Sequence, residues 1–175
     1  MTLDSELILG GARSGKSKLA EQRAAESGLK LVYIATGTAG DNEMRERIAH
    51  HQTSRDKKWQ LVEEPINLAD ALLLYSNTEN CILVDCLTLW LSNCLHQDCW
   101  HEQRDKLLAA FSQLNGRVLF VSNEVGMGIT PMGELTRRFV DESGFLHQQL
   151  ASMCDQVMLV VAGLPLQIKP TAENR

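Results

Sequence analysis

The strongest constraint in this chain lies near its start. Gly10-Gly11-Ala12-Arg13-Ser14-Gly15-Lys16-Ser17 follows the apolar run Glu6-Leu7-Ile8-Leu9 and opens an amphipathic stretch. The spacing fits G-x-x-x-x-G-K-[S/T], and a strand before it with a helix after it is the context its chemistry requires. Its glycines let the backbone turn tightly and aim N–H groups inward, so loop and helix N-terminus form a nest for phosphate oxygens. Lys16 is expected to reach the β- and γ-phosphates of a nucleoside triphosphate, and Ser17 to offer its hydroxyl to Mg²⁺.

Beyond the loop, short apolar runs alternate with longer amphipathic stretches. This predicts an α/β fold, a mostly parallel sheet with helices on both faces. Strands are expected at 7–9, 31–35, 61–63, 81–85, 118–122 and 157–161, with a short closing strand at 166–168. Helices are expected at 16–27, 41–53, 67–76, 88–95, 102–114 and 133–153, with Asp41 and Asn67 as N-caps and Gly28 as a C-cap. No repeat or Pro/Gly-rich linker divides the 175 residues. One domain over 1–169 with a frayed tail at 170–175 is therefore expected, as is an exposed connection at 96–101.

The chain carries 17 Lys plus Arg against 22 Asp plus Glu, a net charge of −5, which argues against a nucleic-acid partner. Its five cysteines, an odd number without regular spacing, fit reduced thiols in the cytoplasm. No run approaches the roughly 18 apolar residues of a membrane span, and the first residues carry no basic n-region and only a three-residue apolar run, so neither export nor membrane spanning is expected.

A phosphate loop needs a metal-side carboxylate, and the strand Cys81-Ile82-Leu83-Val84-Asp85 ends in one. Asp85 is expected to hold Mg²⁺ with Ser17; its alternative role is to cap the helix that follows. The next residue is Cys86, so the adjacent acid pair of motor-type ATPases is missing. His50 and His51 end the polar stretch 41–51. On a helix they point about 100° apart, and an imidazole, largely neutral at pH 7, can attack phosphorus.

The stretches GGARSGKS at 10–17, YIAT at 33–36, EMRERIAHH at 43–51, Trp59, NEVGMGITP at 123–131, LVVAG at 159–163 and the closing LQIK resemble the bifunctional adenosylcobinamide kinase/adenosylcobinamide-phosphate guanylyltransferase family of cobalamin biosynthesis. The likeness runs from about residue 6 to Lys169. It implies a single-domain P-loop, RecA-like enzyme that phosphorylates adenosylcobinamide with ATP or GTP. The enzyme then transfers GMP from GTP to adenosylcobinamide phosphate through a histidine–GMP phosphoramidate. A homo-oligomer, a trimer, is implied as well. The nucleophile is assigned to His51, which shares a helical stripe with Ile48 and Met44, with His50 as the alternative.

The resemblance also places nucleotide contacts at Thr36, Gly37 and Thr38. Gln52, Thr53, Ser54 and Arg55 continue past the histidines, Arg55 as a phosphate or guanine-side contact. Glu63 is read as an acceptor for guanine N–H groups or as a solvated strand-end acid. Asn123 and Glu124 are expected beside substrate, or Glu124 as an anchor of the Gly126-Met127-Gly128 loop. Arg137 and Arg138 read as a solvated helix face or a phosphate contact. Leu87, Trp90 and Leu91 form an apolar stripe, read as core or subunit interface and alternatively as a corrinoid-contacting surface. Cys94, His96, Cys99 and His101 lack the spacing of common zinc sites. Two further readings are a small-molecule kinase without guanylyl transfer and a non-catalytic nucleotide switch.

Overall fold

The computed structural model describes residues 3–37 and 58–170. Its strands are β1 (Asp4–Gly10), β2 (Lys30–Ala35), β3 (Trp59–Glu63), β4 (Asn80–Asp85), β5 (Arg117–Asn123), β6 (Gln156–Val161) and β7 (Leu164–Lys169). The helices are α1 (Lys16–Glu26), α2 (Leu68–Tyr75), α3 (Leu87–His96), α4 (Trp100–Phe111) and α5 (Glu134–Met153). The expected helix at 41–53 lies outside the described residues.

One sheet runs in the order β3-β2-β4-β5-β1-β6-β7. Its pairings are parallel except for the antiparallel β6–β7 hairpin. The central strands are near-continuous apolar runs because both of their faces are covered. In β4, Ile82 and Val84 face a core shared with α2, α3, α4 and α5, while Cys81 and Leu83 face Ala20 and Ala24 of α1. The larger core holds the Trp90–Trp100 pair, ring centroids 5.3 Å apart and edge-on, a geometry that contributes beyond area burial.

Leu87, Trp90 and Leu91 are buried in this core, so they are core and not a corrinoid-contacting surface. The connection expected to be exposed at 96–101 is shorter than predicted. His96 ends α3, and Trp100 already begins α4 with its indole buried and donating to Glu142 Oε2 at 2.7 Å. Gly28 follows α1 in the left-handed region at φ 70°, as a C-cap glycine should. Asn67 precedes α2 but makes no side-chain cap; Glu64 Oε1 instead accepts the Ile66 and Asn67 N–H groups.

In-register pairing aligns the C-terminal strand ends: Glu63 with Ala35, Ala35 with Asp85, Asp85 with Val121, and Asn123 with Gly10. Open α/β sheets bind ligands along this edge.

Candidate active site

The loop after β1 has the backbone its sequence demands. A Cβ on Gly10 would lie 2.5 Å from Ser14 Oγ and 2.6 Å from the Val160 carbonyl oxygen, so only glycine fits. Arg13 and Gly15 occupy the left-handed region, at φ 55° and 98°. Gly15 caps α1 without a side-chain hydrogen bond, and the first turn carries no acid. The leading N–H groups of α1 therefore have no side-chain cap and are suited to an anion. The Ser14 hydroxyl is buried and makes no hydrogen bond among the described residues.

Bracing comes from a distant segment. Ala162 and Gly163 form the β6–β7 turn, both with positive φ, and the Gly163 N–H donates to the Ser14 carbonyl at 2.8 Å. Lys16 is buried, and its Nζ donates to the Gly11 carbonyl at 3.0 Å. Burial pulls its pKa down, while Cys86 and Asp85 oppose the shift.

Asp85 ends β4 and accepts a 2.8 Å hydrogen bond from Tyr33 Oη, which fixes the carboxylate from β2. Thr36 is buried; its hydroxyl donates to the Cys86 carbonyl at 2.7 Å and accepts the Cys86 N–H at 2.9 Å. The Thr36 side chain thus ties β2 to β4, and its carbonyl accepts from Asn93 Nδ2 at 2.7 Å. The Asp85–Cys86 peptide is cis. Burial pushes the Cys86 thiol up to about 11, so the residue in place of a second acid is a neutral thiol against Thr88 Oγ1.

Asn123 Nδ2 donates to Thr88 Oγ1 at 3.2 Å. The Glu124 N–H donates to the Gly10 carbonyl at 2.9 Å, and Glu124 Oε1 accepts the Gly126 N–H at 2.6 Å. Beneath them, buried His147 of α5 has Nε2 2.7 Å from Ser122 Oγ and Nδ1 3.8 Å from Glu124 Oε2. Burial lowers the pKa of His147 and Glu124 opposes it.

Lys16, Ser17, Asp85, Asn123 and Glu124 thus share one edge of the sheet. Glu63 is exposed on the same edge but four strands from Gly10, roughly 19 Å at about 4.8 Å per interstrand spacing. Arg137 Nη1 donates to the Pro131 and Met132 carbonyls, whereas Arg138 is exposed. Among the described residues no three His, Cys, Asp or Glu side chains converge as metal ligands. His50, His51, Thr38, Gln52, Thr53, Ser54 and Arg55 lie outside the described residues.

The sequence alone assigns no role to Tyr33, Ser122, His147 or Gly163. Tyr33 stands within YIAT and Ser122 is the polar end of an apolar strand, but neither pattern names a partner.

The sequence profile of the cobinamide kinase / cobinamide phosphate guanyltransferase family matches residues 6–168. This chain belongs to that family. It is 53% identical over 167 residues to the bifunctional adenosylcobalamin biosynthesis protein CobP of Pseudomonas aeruginosa, covering 94% of this chain and 96% of the relative. It is 37% identical over 179 residues to CobU of Escherichia coli, described in the same words, covering 93% and 98%. Two solved structures share its fold. The flagellar accessory protein FlaH of Methanocaldococcus jannaschii gives a TM-score of 0.53 at 12% identity, covering 96% of this chain and 79% of that one. The RadB recombinase gives 0.51 at 16% identity, covering 89% and 73%. The fold is thus the P-loop, RecA-like one.

Proposed function

We propose that this chain phosphorylates the aminopropanol hydroxyl of adenosylcobinamide with a nucleoside triphosphate. It then transfers GMP from GTP to that phosphate, releasing pyrophosphate and adenosyl-GDP-cobinamide. The observation carrying this reading is the uncapped Gly10–Ser17 loop with Lys16 and Asp85 at one sheet edge, in a chain the family profile matches almost throughout.

In the guanylyl step a ring nitrogen of His51 attacks the α-phosphorus. A P–N bond forms, the α–β P–O bond breaks, and pyrophosphate leaves with its charge held by the loop N–H groups and Lys16. An oxygen of the corrinoid phosphate then attacks the same phosphorus, and the P–N bond breaks to restore the imidazole. In the kinase step the same loop holds the γ-phosphoryl group: the corrinoid hydroxyl oxygen forms a new P–O bond to the γ-phosphorus and loses its proton to solvent, while the β–γ P–O bond breaks and the nucleoside diphosphate leaves. The oxygen donors Ser17 and Asp85 suit Mg²⁺, a hard cation; when bound it would neutralise phosphate charge. Asn123 and Glu124 stand on the acceptor side. Gly37 contributes through its backbone, Thr36 lines the nucleotide side while its hydroxyl and backbone hold the Asp85–Cys86 turn in place, and Glu63 reads the base.

Incubation with α-labelled GTP tests the reading. Acid-labile, alkali-stable label is expected on wild type and on His50→Ala, and is lost in His51→Ala. Label on both histidine variants excludes the proposed nucleophile, and a chain that phosphorylates without labelling is a kinase alone. The cytoplasm and a trimeric assembly are part of the same reading, the latter checked by mass in solution.

A further inference from the structure

Between Glu124 and Glu134 the chain carries no charge: residues 125–133 read Val-Gly-Met-Gly-Ile-Thr-Pro-Met-Gly. Three large apolar side chains in this loop are almost wholly exposed, Met127 at 78%, Ile129 at 97% and Met132 at 96%. Scattered exposed apolar residues are ordinary, but three within six residues at the rim of a site mark a binding surface. We propose that this loop is the platform for the corrin ring of the substrate, an assignment that rests on the function proposed above.

The loop leaves the strand end that touches the phosphate cradle, since Asn123 pairs with Gly10 and the Glu124 N–H bonds the Gly10 carbonyl at 2.9 Å. Met127 stands three residues beyond Glu124, within about 11 Å of chain reach. The loop is pinned at both ends, by the Gly126 N–H on Glu124 Oε1 and by the Arg137 guanidinium on the Pro131 and Met132 carbonyls. Its apolar side chains are therefore presented outward from a held backbone.

The ligand chemistry matches. The hydroxyl to be phosphorylated sits at the tip of a side arm, so the macrocycle must rest an arm's length from the transferred phosphorus. The ring offers a broad, partly apolar face fringed by amides. A loop without charged side chains suits a neutral, partly apolar surface, and methionine side chains adapt to an irregular face. A second exposed apolar strip, Leu164, Leu166 and Ile168, lies on the outer edge strand β7, which starts beside the phosphate loop at Gly163 and runs away from it. The Leu87, Trp90 and Leu91 stripe is buried.

The test compares wild type with the triple variant Met127→Ser/Ile129→Ser/Met132→Ser and the control Met127→Leu/Ile129→Val/Met132→Leu. Equilibrium dialysis with adenosylcobinamide reads binding without turnover. The serine variant is expected to bind it roughly tenfold more weakly or worse, with labelling by GTP and mass in solution unchanged, and the apolar control to retain wild-type affinity. Unchanged corrinoid affinity in the serine variant overturns the proposal. So does a fall in assembly mass, which assigns the loop to contact between copies. Wild type that binds the corrinoid without phosphorylating it sinks the proposed function, while the serine variant still decides the platform.

Discussion

The two ends of strand β1 carry polar residues put to opposite uses. At its start Glu6 is buried, with Oε1 2.7 Å from Arg23 Nη1 and Oε2 3.8 Å from Arg117 Nη2, while Arg117 Nη1 meets Asp4 at 2.9 Å. Beside it Asp155 Oδ2 accepts from both the Ser5 hydroxyl and the Ser5 N–H. These charges are paired as ions within the chain, although both Glu6 oxygens and Arg117 Nε are buried without a hydrogen bond among the described residues. At its far end the backbone turns through Gly10 and Gly15, α1 starts without a side-chain cap, and Lys16 bonds a backbone carbonyl. Charges paired at one end hold the fold together, and the uncapped helix N–H groups at the other leave a place for an anion.

The largest effect that should expose this contrast is Arg23→Met. Leaving a buried carboxylate short of its nearest cation should cost about 3 kcal/mol or more, read from the denaturant midpoint. GTP labelling per folded molecule should stay at wild type. Burial already raises the Glu6 pKa against Arg23 and Arg117. In the variant the loss should therefore shrink as pH falls, because the protonated acid needs no partner and the penalty appears only as pH rises and ionises it.

Lys16→Ala should do the reverse. Both reactions should fall about 10²- to 10³-fold, as when one donor to developing charge is removed. The denaturant midpoint should hardly move. An equal loss of stability would mean that the far end is structural as well.

Gly10→Ala breaks the contrast, because it strikes both properties. The added carbon meets the Val160 carbonyl at 2.6 Å, and that backbone is held in the sheet. About 1–3 kcal/mol of stability should go, together with GTP affinity measured by titration.

The smallest effect concerns His147, whose pKa burial lowers from 6.5. Below that value the unfolded chain takes up a proton that the folded one refuses, so stability falls as pH drops toward the folded pKa. His147→Gln should flatten the melting temperature between about pH 7.5 and 5.5. An unchanged slope would mean that the ring titrates normally.

Much of this arrangement is legible in the sequence. The seven strands lie where apolar runs stand, and Gly28 sits where a helix must stop, because burial and backbone freedom are local properties. The phosphate loop and Asp85 are readable for the same reason: their chemistry is written in adjacent residues. The early start of α4 was not readable, because Trp100 is fixed by its ring contact with Trp90 and its bond to Glu142. Nor did the sequence show that the Thr36 hydroxyl is spent on Cys86.

The order of elements, the cradle and the family were thus set by the sequence alone, through periodicity and one dense motif. Only the folded sheet decided that Tyr33 would aim Asp85, that His147 would lie beneath Glu124, and that Gly163 would brace Ser14. Parallel pairing gathers strand ends at one edge however far apart they are along the chain, and the register that brings them together is set by packing between elements.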